Sequence, residues 1–341
     1  MRICLIADSH WGARGDSQIF LDYFSRFYRE FFFPYLDDHN IKTVIHLGDL
    51  VDRRKQLNYN TAQTMRREYI QPSIDRHIDT HMIVGNHDTY NKNNNEVNAL
   101  REVVMGRPGF TIYSYPTVVS FDGVKTLMLP WISPDNEERT AEALKFKGIK
   151  TVFAHLELVG FEMTCGQMMD HGMDPKPFTK YPAVYTGHYH HKSSKKNIHY
   201  LGAPYEMNWN DYDDPKGFHI WDTETNNIEF IQNPIRLFEK VYTSGNGVDC
   251  CPGKIVKVIV TEGTDRKKLD KIISILEKDA IDVQVIDNST SIENVSISIE
   301  DIDDTMKILK DYIESSDIEV DKNSLMKLMQ ELFVEANDRS K

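Results

Sequence analysis

"HMIVGNHDTYNKNNNEV", residues 81–97, contains an apolar run, Met82-Ile83-Val84, that stops at Gly85-Asn86-His87-Asp88. Three adjacent polar side chains are out of place within a buried strand but not at its end. The same punctuation recurs along the chain. Asp8-Ser9-His10 follows the apolar run 2–7, Gly48-Asp49 follows 42–47, His155 follows "TVFA", and Gly187-His188-Tyr189-His190 follows "AVYT". Ligand-type residues therefore close five apolar strands. In α/β sheets, ligands collect beyond the carboxyl ends of the strands. There the polar groups can converge in one crevice without charging the core.

Spacing adds a geometric reason. In extended backbone, residues i and i+2 point the same way, roughly 6.6–7 Å apart. Asp8 with His10, and His188 with His190, thus each present two ligands to one side. Paired metals about 3.5–4 Å apart are a recurring device for displacing phosphate esters. Carboxylate, imidazole and amide donors without thiolate suit Mn²⁺, Fe²⁺ or Zn²⁺, with Mn²⁺ preferred and Mg²⁺ admissible. Each element alone is weak: GNHD can be a turn, GD is common, and an isolated histidine is more often structural. Their ordered combination carries the reading.

The 341-residue chain is long enough for a sizeable core and about two domains. Hydrophobic residues at 40% and charged residues at 27% are ordinary for a soluble globular protein. No apolar stretch approaches a membrane span, and the first run is too short for a secretory signal. Four cysteines, Cys4, Cys165, Cys250 and Cys251, show no C-x-x-C spacing and fit a reducing cytoplasm. Residues 254–341 carry 20 acidic and 13 basic side chains, so −7 of the net −12 lies there. This asymmetry argues against a globally basic nucleic-acid binder, but not against an enzyme with locally arranged charge.

Phe20, Phe24, Phe27 and Phe31 recur at helical spacing within 17–38, with Ser17 as the expected N-cap. Residues 60–78 read as a helix with a kink or break near Pro72, and 96–105 as another. Short strands are expected at 118–121, 126–129, 151–154, 183–186 and 199–202, with a hairpin joining 218–222 to 228–231. Strands alternating with helices, then many short strands, imply an α/β class in which helices sandwich two packed sheets. "NPIRLFEK" and "TSGNGVDCCPG" read as connectors. Beyond them, 255–261, 265–280 and 282–286 form a strand–helix–strand unit, with a further strand at 295–299. Two helices follow, at 301–315 and 323–337. Ile302, Met306, Leu309 and Ile313 mark one apolar stripe; Leu325, Leu328, Met329, Leu332 and Phe333 mark the other. Both stripes need partners.

With D-x-H, GD, GNHD, H and GHxH in this order, the sequence resembles the calcineurin-like metallophosphoesterase superfamily. Within it, the likeness is to SbcD-type nuclease subunits of double-strand-break repair complexes, including those of T-even phages. It implies a four-layer α/β/β/α metallophosphoesterase sandwich at 1–235, a small α+β capping domain at 236–299 and C-terminal helices at 300–341. It further implies that Asp8, His10, Asp49 and His190 hold one divalent ion. Asp49, Asn86, His155 and His188 would hold the other, with Asp49 bridging and His87 as catalytic acid. The implied activity is hydrolysis of DNA phosphodiesters in recombination and double-strand-break repair: 3′→5′ exonuclease on double strands and endonuclease on single strands. The implied partners are DNA, an SbcC-like coiled-coil ATPase docked on the two terminal helices, and a second copy within a heterotetramer. Residues 60–78 and 90–105 are the homodimer segments to consider. This chain lacks a GxxxxGK[ST] motif of its own. A phage-encoded member would work in the host bacterial cytoplasm, with no membrane role.

Other features temper the reading. Gly48-Asp49-Leu50-Val51-Asp52-Arg53 also resembles the GDxVDR motif of Ser/Thr phosphatases, with Arg54 in place of the following glycine. The rival activity is therefore phosphomonoester hydrolysis by the same metals. A non-catalytic recruiting subunit is the rival outside enzymes, and the complete ligand set speaks against it. Asp52 reads as a supporting carboxylate and His46 as a core residue. Tyr205, in "GAPY", reads as packing rather than a nucleotide contact. Arg53, Arg54 and Lys55, and Lys192, Lys195 and Lys196, are candidate DNA-backbone contacts, since basic side chains gain affinity by displacing counterions. A solvated basic loop accounts for them equally well.

Overall fold

In the computed structural model, residues 1–164, 166–245 and 251–287 are described. The strand expected at 295–299, the helices 301–315 and 323–337, and Cys165 and Cys250 lie outside the described residues. The first sheet contains β1 (Arg2–Ile6), β2 (Thr43–His46), β3 (Asp79–Ile83) and β4 (Phe110–Tyr113), all parallel. It is completed by β13 (Gly217–Asp222) and β14 (Ile228–Gln232), antiparallel, in the order β14-β13-β1-β2-β3-β4. The second sheet has β5 (Thr117–Phe121), β6 (Val124–Leu129), β7 (Thr151–His155), β10 (Ala183–Gly187), β11 (Ser193–Lys195) and β12 (Ile198–Tyr200), in the order β11-β12-β10-β7-β6-β5. A small hairpin, β8 (Glu162–Thr164) and β9 (Gln167–Met168), follows β7.

Strand side chains alternate between faces, and this alternation builds the layers. Ile3, Leu5, Ile45, Leu47 and Ile83 meet Met128, Phe153 and Tyr185 in the core between the sheets. Their neighbours Cys4, Ile6, Val44 and Met82 face the helices outside. On the second sheet, Val152, Ala154 and Val184 face an outer layer that includes Ala143, Phe178 and Tyr181. The result is the four-layer α/β/β/α sandwich.

The aromatic stripe packs as expected: Phe20, Phe24 and Phe27 are buried, and Phe31 lies against the same core. Ser17 holds the N-cap position, but its side chain makes no capping bond. Of the kink or break expected near Pro72, no break occurs. Helix Tyr59–Met65 continues through a π turn, Arg66–Ile70, into Gln71–Asp75. Gln18–Phe27 likewise passes through Tyr28–Phe32 into Phe33–Asp38, which contains Pro34. Proline lacks an N–H and crowds the carbonyl four residues back. The wider π turn before each proline accommodates both effects without breaking the helix. The helix expected at 96–105 is shorter, Ala99–Val104, with Asn98 accepting from the Arg101 N–H.

A three-stranded sheet of β15 (Phe238–Tyr242), β16 (Ile255–Val260) and β17 (Asp282–Asp287) carries the helix Arg266–Leu276. Val256, Val258, Ile272 and Leu276 form its core. The strand–helix–strand reading holds here, but "NPIRLFEK" is not all connector. Its second half enters β15, which pairs in parallel with β16 from Phe238↔Ile255 to Tyr242↔Ile259. Glu239 and Lys240 disguise an edge strand, a position where charged side chains are favoured.

Candidate two-metal centre

All five strand-end motifs meet. The polar loops lie beyond β1, β2 and β3 on one sheet and at β7 and β10 on the other. Asp8, His10, Asp49 and His188 have φ of 53°, 43°, 56° and 93°, in the left-handed region. Such backbone costs about 1–3 kcal/mol per residue and persists only where surrounding bonds fix it. Here Asp8 N–H donates to Gly48 O (3.0 Å) and His10 N–H to Asp49 O (3.0 Å). The His188 N–H donates to both Asp8 oxygens, at 3.0 and 3.1 Å. The two glycines that open GD and GNHD are required by crowding. A Cβ on Gly48 would lie 2.4 Å from His155 Nδ1, and one on Gly85 would lie 2.2 Å from Asp49 Oδ1.

Three donor groups form around these loops: Asp8–His10–His190, His10–Asp49–His87 and Asp49–His155–His188. Within each, the ligand atoms lie within 4.8 Å of one another. Asn86 joins the last group, its Oδ1 standing 2.8 Å from His155 Nε2 and 2.9 Å from His188 Nδ1. Asp49 Oδ2 lies 3.4 Å from His155 Nε2 and 3.7 Å from His10 Nε2, so one carboxylate oxygen adjoins two of the donor groups. Every metal-ligand residue expected from the sequence is therefore brought to this one place.

The donor set fits cations. His10 Nε2 and His190 Nε2 approach to 3.0 Å, a contact in which at most one proton can bridge two lone pairs. His155 Nδ1–H donates to Leu47 O at 2.7 Å, which directs Nε2 to the centre. A backbone carbonyl on the far nitrogen is the usual way to fix a metal-binding histidine. Turned over, the Asn86 amide would donate to His155, His188 and Asp49 and accept from Arg54 Nη2. That orientation suits a centre without ions; a cation favours the oxygen inward.

Protonation is divided unevenly. Burial, with His155 adding to it, pushes His188 down to about 3, and burial with His10 and Lys216 holds His190 well below its ordinary value. Both imidazoles therefore offer lone pairs at neutral pH. Burial also opposes charge on His155, but Asp49 and Asp8 outweigh it and lift that group to about 9. Burial, partly offset by His155, raises Asp8 to about 7. Burial works against the Asp49 carboxylate too, yet His155, His10 and His87 hold it well below the usual range.

His87 stands at the rim, half-buried. Its N–H donates to Asp49 Oδ1 (2.8 Å), and Nδ1–H to the Asp52 carbonyl (2.6 Å). Its ring meets His10 edge-on at 4.8 Å. Asp52 also puts Oδ1 3.4 Å from His10 Nδ1, so it supports two imidazoles at once. Burial lowers the His87 pKa, and Asp49 pulls against that.

Several supports were not read from the sequence. Asp88, fully buried, accepts from four backbone amides: Asp49 and Gly85 on one oxygen, Leu50 and Val51 on the other. It clamps the GD and GNHD loops together. Lys216, also buried, donates to His190 O and pairs with Asp211 and Asp214. Trp131 lays its ring 5.5 Å from that of His188. A buried carboxylate beside ligand residues was the only signal for Asp88; distance in sequence concealed Lys216 and Trp131. Among the basic residues, Arg54 donates to Asn86 O (2.8 Å), and Arg53 lies 3.6 Å from Asp16. With Lys55 and Tyr90 they line a pocket of about 180 Å³. Lys192 sits 3.6 Å above the Phe230 ring, whereas Lys195 and Lys196 are exposed. His46 and Tyr205 are core residues.

Residues 1–192 match the family model described as Calcineurin-like phosphoesterase, and the chain belongs to that family. Exonuclease subunit 1 of Enterobacteria phage T4 is 32% identical over 346 residues, spanning 98% of this chain and 99% of that protein. The resemblance carried by the motifs, to the superfamily and to T-even phage nuclease subunits, is thereby borne out. A solved structure described as "Structural and Functional Characterization of a Novel Archaeal Phosphodiesterase" is 14% identical, with a TM-score of 0.34. It covers 68% of this chain and 99% of its own.

Proposed function

We propose that this protein is a two-metal-dependent DNA nuclease. The observation that carries the reading is the convergence of Asp8, His10, Asp49, Asn86, His155, His188 and His190 into adjoining donor groups, with His87 beside them. Asp8, His10, Asp49 and His190 would hold one divalent ion; Asp49, Asn86, His155 and His188 would hold the other, with Mn²⁺ preferred. When bound, such ions neutralise charge on the phosphate and activate an attacking water. Two divalent ions against the carboxylates of Asp8 and Asp49 leave a local positive excess, which attracts a phosphodiester to an otherwise acidic chain. His87 keeps its Nδ1 proton on the Asp52 carbonyl, so the proton it can pass to the departing sugar oxygen is the one on Nε2.

The finer reading is of 3′→5′ exonuclease action on double strands and endonuclease action on single strands, in recombination and double-strand-break repair. Support comes from the name of the T4 relative, an exonuclease and a subunit. Arg53, Arg54, Lys55, Lys192, Lys195 and Lys196 would contact the DNA backbone. An SbcC-like ATPase would take the segment 300–341. A second copy would cover the segments 60–78 and 90–105, near which Tyr59 and Met105 are 93% and 70% exposed. The domain division at 235 and 299 belongs to the same proposal, as does work in a bacterial cytoplasm. Among the described residues, no helix is long and apolar enough to cross a membrane.

The test is cleavage of end-labelled DNA with Mn²⁺ or with EDTA, alongside a phosphomonoester. Mn²⁺-dependent DNA cleavage is expected, and His87→Ala should lower kcat by about 10²–10⁴-fold while two metals remain bound. Hydrolysis of the phosphomonoester alone would make the protein a phosphatase. Hydrolysis of neither would leave a recruiting role. Metal lost with His87 would make it a ligand rather than the acid.

A further inference from the structure

Between the two ligands Asp8 and His10 stands Ser9, fully buried and flanked by two residues in the left-handed region. Its Oγ lies 2.9 Å from His46 Nε2 and 3.0 Å from the Tyr28 hydroxyl, and its carbonyl accepts from the Tyr205 hydroxyl at 2.5 Å. All four side chains are buried; none belongs to a donor group. His46 Nδ1 is buried without a hydrogen-bond partner among the described residues. An orphaned N–H costs more than an orphaned lone pair facing apolar neighbours. The favoured tautomer therefore carries its proton on Nε2 and donates to Ser9. Tyr205 is fixed in turn by stacking on Phe24, with centroids 4.0 Å apart.

We propose that His46, acting through Ser9 with Tyr28 and Tyr205, is the positioning group for the Asp8–His10 half of the metal centre. The bonds reach Ser9 from β2, from the helical layer and from the loop after β12. Together they hold one residue from three directions. With Ser9 held, the strained residues on either side have one arrangement, and both ligands face the same ion. Without these bonds the loop can relax its φ angles, and Asp8 and His10 separate. This also gives "GAPY" a role that packing alone does not: its tyrosine holds the backbone that carries the ligands.

The inference rests on the metal-centre reading, so its test reads metal binding separately from cleavage. His46→Leu, Ser9→Ala, the double variant and His46→Gln would be compared for Mn²⁺ binding by calorimetry, thermal midpoint, and kcat and KM on DNA. Gln can place an amide N–H where Nε2 stands. The expected result for His46→Leu and Ser9→Ala is about 10–100-fold weaker Mn²⁺ binding at one of two sites, the range found when residues behind metal ligands are changed. kcat should fall with KM for DNA unchanged, His46→Gln should recover most of the loss, and the double variant should be no worse than either single one. Wild-type metal affinity in both single variants would overturn the proposal. So would His46→Gln as impaired as His46→Leu, or additive losses in the double variant, since either leaves only a packing role. If the unaltered protein binds two Mn²⁺ ions but does not cleave DNA, the nuclease reading fails while the binding comparison still decides this one.

Discussion

On the first sheet every candidate donor lies beyond a strand end, with Asp8, His10 and Asp49 in left-handed backbone; on the second, His188, also left-handed, and His190 follow β10, but His155 is the last residue of β7 itself. The chemistry divides the same way. The first sheet contributes both carboxylates, the amide, His10 and His87. The second contributes His155, His188 and His190, three imidazoles. The carboxylates therefore sit on one side of the centre, and there the loops are tied by hydrogen bonds to carboxylates and backbone: Asp88 under four amides, Asp8 under the His188 N–H, Ser9 under three partners. On the other side, the imidazoles are held mainly by packing and by single bonds such as that of His155 to Leu47 O. Neither sheet offers a full ligand set for either expected ion, so the core between them sets the distance between the two halves.

The severest way to break this division is to remove the charge both ions share. Asp49→Asn should abolish DNA cleavage and lower Mn²⁺ stoichiometry from two, read by calorimetry. Full occupancy would show that Asp49 is not a bridge. Next in size is competition by protons. His155 without metal titrates at about 9, so at pH 7 the incoming cation must displace its proton. Raising the pH removes that competitor. Apparent Mn²⁺ affinity should therefore rise about tenfold per unit from pH 7 to 9 and level off above, measured anaerobically. Below pH 7 the slope should steepen as Asp8, which titrates at about 7, gains its proton. A flat profile would mean that His155 is not a ligand. Smaller again is Asp88→Asn, which turns an acceptor for two amides into a donor. Each unsatisfied N–H costs about 1–3 kcal/mol. The thermal midpoint should fall and cleavage should drop about 10–100-fold, although Asp88 belongs to none of the three donor groups.

The same contrast decides what could be read in the sequence. Polar residues that interrupt apolar strands are visible because strand burial leaves no other place for them, so seven ligands and His87 stood out. Asp88 was written into the same motif but looks like one more ligand. Nothing in Gly85-Asn86-His87-Asp88 says which side chains turn outward to a metal and which turn inward to backbone amides. Lys216 and Trp131 act across 26 and 57 residues, from His190 and His188 respectively, through contacts no local pattern encodes. Pro72 suggested a kink or break because helix rules describe α turns, and the π turn that absorbs it has no composition of its own. Glu239 and Lys240 hid β15 for the converse reason, since an edge strand need not be apolar.

The least disruptive test is on the packed side. The Trp131 Nε1 proton is buried and finds no acceptor among the described residues, while its ring lies against His188 and His155. Trp131→Phe keeps an aromatic ring there and removes an unsatisfied donor. Stability should stay within about 1 kcal/mol of the starting protein by denaturant midpoint, and cleavage should be unchanged. Trp131→Ala takes away the ring and should weaken Mn²⁺ binding at the His155–His188 group alone. If Phe proved as damaging as Ala, the indole N–H itself would matter, and the imidazoles of the second sheet would depend on directed polar contacts as the first sheet's loops do.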